Sequence, residues 1–332
     1  MVDATGSGPA PQPPESRNPR VAQPEDGGES TLTVVVAFLA NAVVAGAKTA
    51  AAMVTGSASM LAEAVHSWAD TGNEVFLLVA DRRSRRPADT EHPLGFGREA
   101  YVWSMFAAIG LFAVGAGVSI THGIQELLHP EPADNYVVAY AVLALSFVLE
   151  GVSFLRARRQ ARAEAKAVDR DTLHHVLVTS DPTLRAVYAE DAAALIGLVV
   201  AFVGVLAHQL TGSPVPDAIG SIVVGVVLAV VSVVLIDRNR RFLVGEAAMP
   251  ATRAAVLEGI RDLPEVERVT YLRLEYVGPR ALYLVASVDL RGDESETSVA
   301  RRLDDLERRV TSVPLIAGAV FTVSTPEEPS IA

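Results

Sequence analysis

Apolar residues along this chain fall into six long blocks separated by short polar connections, after which the pattern changes to that of a soluble domain. A bilayer core about 30 Å thick is crossed by about 20 mainly apolar residues in a helix. The blocks at 32–54, 57–80, 100–122, 136–155, 182–208 and 216–236 meet that length and predict six transmembrane helices. Beyond about residue 243, Val256, Ile260 and Leu263 repeat at helical spacing, and 269–277 and 282–290 read as strands. Val299, Leu303, Leu306 and Val310 form a second helical stripe, and 320–323 reads as a last strand. This αββαβ order predicts a small α+β domain of roughly 80 residues, large enough to fold independently. The expected organisation is a disordered tail at 1–30, a six-helix transmembrane domain at 31–240, a cytoplasmic α+β domain at 241–325 and a tail at 326–332. The first thirty residues earn that reading from Pro11, Pro13, Pro14, Gly27 and Gly28 among scattered charges, without an apolar run or the features of a signal peptide.

Charge between the blocks sets the direction of insertion. The connection after the second block carries Arg82, Arg83, Arg85, Arg86 and Arg98, and the one after the fourth carries Arg156, Arg158, Arg159, Arg162, Lys166 and Arg170. Arg238, Arg240 and Arg241 follow the sixth, while the connections at 55–57, 123–135 and 209–213 hold no Lys or Arg. By the positive-inside rule both termini are cytoplasmic, in a plasma or inner membrane.

Composition narrows the chemistry. Half of the 332 residues are hydrophobic, and the mean hydropathy of +0.31 is that of a membrane protein. Aromatics make up only 6%, so the apolar mass is small and aliphatic, which suits close helix packing in lipid. With no cysteine, any metal site must use nitrogen and oxygen. A net charge of −11 argues against nucleic acid as a partner. An enzyme is disfavoured too, because neither an HExxH motif nor a nucleophile and base pair occurs in the spans.

The second block is interrupted by Ser59, Glu63, His66, Ser67, Asp70, Asn73 and Glu74. On a helix, Glu63, His66, Asp70, Asn73 and Glu74 fall within an arc of about 100°. Charged groups at membrane depth cost at least ~2.5 kcal/mol each, so this stripe must face protein, water or an ion. His66 and Asp70 stand at i and i+4, where an imidazole and a carboxylate can share one cation or form a plain ion pair. In the fifth block, Glu190 and Asp191 follow Asp181 and Pro182, which read as an N-cap and a first-turn proline. Counted from the outer boundary, His66 lies ~13 Å, Asp70 ~19 Å and Asp191 ~16 Å deep, a common level near the midplane. Lys48 either snorkels outward or neutralises Glu63, Glu150 reads as interfacial, and Asp217 beside Pro216 reads as an N-cap with metal ligation as the alternative.

Together these residues resemble the cation diffusion facilitator family. The resemblance rests on TGSASMLAEAVHSWAD at 55–70, EHPLGFGR at 91–98, Glu190-Asp191 with Gly197, and DAIGS at 217–221. It implies a homodimer, a divalent ion (zinc, or else manganese, cobalt or iron) moved out of the cytosol against inward proton flow, and a ferredoxin-like cytoplasmic domain. No cofactor other than the transported ion is implied. His66 and Asp70 match the ligand pair of the second span and Asp191 the second ligand of the fifth, while the first falls on Val187. Either Glu190 or water then completes the shell, or the site is three-coordinate from protein and its metal preference is altered. In the loop before the third span Asp89 and His92 match ligand positions, but a third falls on Phe96, and His92 reads equally as a structural residue of the Pro93-Leu94-Gly95 turn. The cytoplasmic domain has neither His nor Cys, so a zinc-sensing cluster there is absent or made of carboxylates. His174 and His175 read as a solvated loop or as a metal-capturing pair. The rival to transport is a membrane metal sensor or scaffold that signals through the C-terminal domain.

Overall fold

The computed structural model describes residues 31–130 and 135–331, so the tail expected at 1–30 lies outside the described residues. In chain order the helical part contains α1 (Thr31–Thr55), α2 (Ala58–Ser84), α3 (Glu99–Gly110), a π-helical turn (Leu111–Ala116), α4 (Gly117–Leu128), α5 (Tyr136–Ala167), a short α6 (Thr172–Val178), α7 (Pro182–Thr211) and α8 (Val215–Val244). The C-terminal domain follows as α9 (Pro250–Arg261), β1 (Val266–Gly278), β2 (Ala281–Leu290), α10 (Glu296–Thr311) and β3 (Ile316–Val323), the αββαβ order expected.

Among the described residues, four rods are long and apolar enough to cross a membrane by length and composition: the continuous stretch Glu99–Leu128, α5, α7 and α8. Helix α2 packs against α1, α3, α4, α7 and α8, and is the most centrally placed. Large apolar side chains on the outer faces, such as Val43, Met53, Val137 and Val230, are more than half exposed, as lipid-facing residues must be. Inside, α4 and α8 meet at reciprocal glycines. A Cβ on Gly123 would come within 2.8 Å of the Ala218 carbonyl oxygen, and one on Gly225 within 2.6 Å of Ile120 Cγ1. Small residues let helix backbones approach where lipid offers no hydrophobic drive to association.

Several boundaries differ from the hydropathy blocks. Helix α5 continues to Ala167 because the residues after 155 are Arg, Ala, Gln, Glu and Lys, strong helix formers that need no lipid. The connection after it is partly helical: Asp171 caps α6 by accepting from Leu173 and His174 backbone N–H groups at 2.9 and 3.1 Å. His174 and His175 therefore sit on a helix, and His175 is buried with Nε2 3.3 Å from Glu164 Oε2. Asp181 caps α7 as expected, accepting from Thr183 and Leu184 at 3.0 and 3.1 Å.

In the sheet, β1 and β2 form an antiparallel hairpin and β3 joins β2 in parallel across the α10 crossover, in the order β1-β2-β3. The strictly alternating burial of β2 gives the sheet one core face, covered by Leu257 and Ile260 of α9 and Leu306 of α10. Segment 326–331 lies along β1, where Arg268 donates to the Glu328 and Pro326 carbonyl oxygens at 2.8 and 3.0 Å.

The two parts share one core. Tyr101 of α3 and Phe242 of α8 stack at 4.9 Å between ring centroids, and Phe242 meets Tyr276 of β1 edge-on at 5.5 Å. The Tyr101 hydroxyl donates to the Ser180 carbonyl oxygen at 2.9 Å, and Arg98 pairs with Glu275 at 2.6 Å. Gly97 and Gly278 touch backbone to backbone: a Cβ on Gly97 would lie 2.6 Å from the Val277 oxygen and 2.8 Å from Gly278 Cα. Gly97→Val should push the sheet off the bundle and destabilise the junction by about 1–3 kcal/mol. Thermal unfolding in detergent, with limited proteolysis of 245–249, checks this: a lower midpoint and faster cleavage are expected.

Candidate metal centre

The polar stripe of α2 begins at its N-terminus. Ser57 is the N-cap and its Oγ accepts from the Met60 N–H at 3.2 Å. Asp217 reaches across from α8, accepting from the Ala58 N–H at 2.7 Å and from the Ser59 hydroxyl. Asp217 makes no cap to its own helix. The expected N-cap role is thus corrected: Asp217 satisfies the orphan donors of a neighbouring helix, where the positive end of the α2 dipole favours a carboxylate.

Deeper along α2, Glu63, Asn73 and Glu74 find partners on other helices. Lys48 of α1 and Glu63 are both fully buried and pair at 3.1 Å, with Glu150 of α5 at 3.7 Å from the same ammonium. Lys48 therefore neutralises Glu63 rather than snorkelling outward, and Glu150 turns toward the bundle interior. A Cβ at position 197 would stand 2.3 Å from Glu63 Oε1, so any larger residue there would make this carboxylate shift. Further on, Asn41 donates to Glu74, Asn73 donates to Glu190, and Ser153 of α5 donates to Asp191 Oδ2 at 2.8 Å.

His66 and Asp70 stand together, with Nε2 3.3 Å from Oδ2; His66 is buried and the Asp70 side chain is 21% exposed. The contact is an ion-pair distance without hydrogen-bond alignment, so both ring nitrogens of His66 and Oδ1 of Asp70 are buried without a hydrogen-bond partner. Glu190 Oε1 is in the same condition. Among the described residues, however, no three His, Asp or Glu side chains stand close enough together to hold a metal ion. The structure thus pairs His66 with Asp70, ties Glu190 and Asp191 to separate hydroxyl or amide donors, and leaves Val187 half-buried nearby on α7. Ser153 carries no signal in the sequence, since a lone serine in an apolar helix is ordinary; Asn73 lies within the polar stripe.

Asp89 and His92 are brought together at 3.1 Å in an exposed turn. Asp89 Oδ1 accepts the backbone N–H groups of His92 and Glu91 at 2.7 and 3.0 Å. The His92 backbone hydrogen bond is the chief reason the Asp89 carboxyl is held below its usual range. Phe96 stands where a further ligand was sought, its ring 4.1 Å from that of His92, and Arg86 lies 4.2 Å over the same ring. The loop is thereby closed by stacking.

These features define a multi-pass membrane protein with an acidic interior and a sheet domain at one end. The cation efflux transmembrane domain profile matches residues 34–244, and the chain belongs to this family, the cation diffusion facilitators. Metal tolerance protein C4 of Arabidopsis thaliana is 35% identical over 263 residues, covering 79% of this chain and 58% of that protein. The mitochondrial proton-coupled zinc antiporter SLC30A9 of Xenopus laevis is 34% identical over 295 residues, 89% of this chain and 51% of its own length. The probable cation efflux system protein MT2084 of Mycobacterium tuberculosis is 26% identical over 304 residues, 90% of this chain and 85% of its own. The chain spans about half the length of the first two relatives.

Removing one partner of a buried pair leaves an uncompensated charge. Lys48→Met should destabilise the bundle by about 3–5 kcal/mol, and the double substitution Lys48→Met with Glu63→Gln should recover most of it. Thermal unfolding of the three proteins in one detergent gives the comparison.

Proposed function

We propose that this protein exports divalent metal cations, zinc foremost, from the cytosol in exchange for protons, using His66, Asp70, Asp191 and Glu190 as ligands. The observation that carries the reading is the buried His66–Asp70 pair with its unpartnered nitrogen and oxygen atoms, on a helix that Asn73 ties to Glu190 of α7. Desolvated lone pairs of that kind are costly unless a cation or a proton occupies them. One imidazole and three carboxylates supply the mixed nitrogen and oxygen set that zinc accepts in tetrahedral geometry, and that manganese, cobalt or iron also accept. The hydrogen bonds from Asn73 to Glu190 and from Ser153 to Asp191 occupy one oxygen of each carboxylate. The second oxygens are turned to use as ligands when α7 moves against α2.

In this scheme the ligands bind metal only when deprotonated, so cytosolic metal displaces protons and later reprotonation releases the ion on the far side. All six long rods cross the bilayer, with α1 and α2 buttressed by the polar pairs between them, and both termini face the cytosol. The active unit is a homodimer in the cell membrane, and the Asp89–His92 turn serves structure first, with metal capture secondary. Carriage rather than chemistry is the activity: the family relatives are named as antiporters and efflux proteins.

In proteoliposomes with an imposed pH gradient, the native chain should take up zinc, and His66→Ala, Asp70→Ala and Asp191→Ala should each reduce flux to background. Ser153→Ala, which removes only an orienting hydrogen bond, should weaken apparent zinc affinity by roughly 10–100-fold. Zinc binding without flux in the native protein would replace this reading with that of a membrane metal sensor.

A further inference from the structure

A cavity of about 400 Å³ opens where the end of α8 meets α6 and the C-terminal domain, with Arg170, His174, Arg238, Arg241, Met249 and Tyr276 in its walls. That volume suits a small organic ligand or a phospholipid headgroup. Its charge is one-sided. The cavity's carboxylate, Glu246, is engaged by Arg241, whose Nε and Nη2 each donate to it at 3.1 Å. Arg170 rests its guanidinium on the Met249 sulfur, a weak acceptor that leaves the charge uncompensated. Among the described residues no carboxylate pairs with Arg170 or Arg238, although Asp237 and Glu246 on the same helix end pair with Arg240 and Arg241. Both unpaired arginines are only partly exposed, and so less screened by water than surface charges. Tyr276 is 5% exposed, and burial pushes its hydroxyl above the usual tyrosine range despite Arg170 nearby, so it stays protonated and able to donate.

The position is as informative as the charge. Arg238 follows directly on the apolar stretch of α8, one of the four rods apolar enough to span a bilayer, so the cavity opens at the level where phospholipid phosphates lie. Guanidinium groups bind phosphate oxygens bidentately, and basic pockets at the ends of transmembrane helices hold anionic headgroups. We propose that this cavity binds an anionic phosphate group, from a membrane phospholipid headgroup or a free phosphate compound, between Arg170 of the α5–α6 connection and Arg238 of α8. A bound phosphate ties α6, α8 and the C-terminal domain together at one point, whatever ion the bundle carries.

The test uses the full chain in detergent, with thermal unfolding and native mass spectrometry as readouts and phosphatidylglycerol, phosphatidylcholine and inorganic pyrophosphate as probes. Phosphatidylglycerol should raise the midpoint and remain bound where phosphatidylcholine does not. The double substitution Arg170→Gln with Arg238→Gln should weaken its binding by roughly thirty-fold, and Arg158→Gln with Arg159→Gln, on the exposed side of α5, should leave it unchanged. Met249→Glu, which keeps both arginines but gives Arg170 a carboxylate partner and halves the cavity's net positive charge, should also weaken binding if the glutamine variant does not fold. Protection by pyrophosphate and not by phosphatidylglycerol, lost in the same variants, would support the site with a soluble phosphate as its ligand. Failure of both probes to stabilise the native protein, or undiminished binding to the charge-altered variants, would overturn the proposal.

Discussion

A charge inside an apolar helix bundle has to be matched, and that requirement governs how α2 is packed. Its stripe of Glu63, His66, Asp70, Asn73 and Glu74 cannot face lipid, so its neighbours bring complementary groups: Lys48 and Asn41 from α1 and Glu190 from α7. Gly197 of α7 leaves room for the Glu63 carboxylate where the two helices pass. Most of the stripe is thereby converted into contacts between helices. Atoms without a hydrogen-bond partner remain along it: Glu63 Oε1, both ring nitrogens of His66, Asp70 Oδ1, Asn73 Oδ1 and Glu74 Oε2, with Glu190 Oε1 on α7. The proposed cation site lies where three of these atoms belong to one adjacent pair, His66 and Asp70.

The same logic appears at the end of the bundle that carries the sheet domain. Arg185 at the start of α7 is 1% exposed, and it donates to the Thr179 carbonyl oxygen at 2.8 Å and to Asn239 of α8 at 2.7 Å, while its guanidinium lies 5.4 Å from the centre of the Phe242 ring. Phe242 in turn stacks on Tyr101 and touches Tyr276. A movement of α7 against α2 at the polar centre therefore reaches the C-terminal domain through packed rings and a buried guanidinium. Densely packed junctions of this kind transmit displacement because they cannot deform continuously.

Much of this was legible in the sequence. The αββαβ order followed from apolar spacing, and Asp181-Pro182 marked the start of α7 because a capping carboxylate and a first-turn proline act locally. The His66–Asp70 contact was legible for the same reason, since i and i+4 are adjacent on any helix. Most pairings between helices were not, Lys48 with Glu63 having been one of two open readings. Asp217 looked like a cap for its own helix because sequence reports only chain neighbours, whereas the donors it meets are 159 residues away. Ser153 and Gly197 acquire meaning only once α5 and α7 are laid beside the polar stripe. The extension of α5 to Ala167 was hidden by hydropathy, which marks where lipid ends and not where a helix does.

The central claim is that cation binding at the α2–α7 centre displaces protons from its own ligands. Calorimetric titration of zinc into the native protein, repeated in buffers of different ionisation enthalpy, measures the protons released per ion bound. The account predicts net proton release in the native chain, and loss of zinc binding together with that release in His66→Ala and Asp70→Ala. Zinc binding with no proton release, or with a release that the two substitutions leave intact, would contradict it.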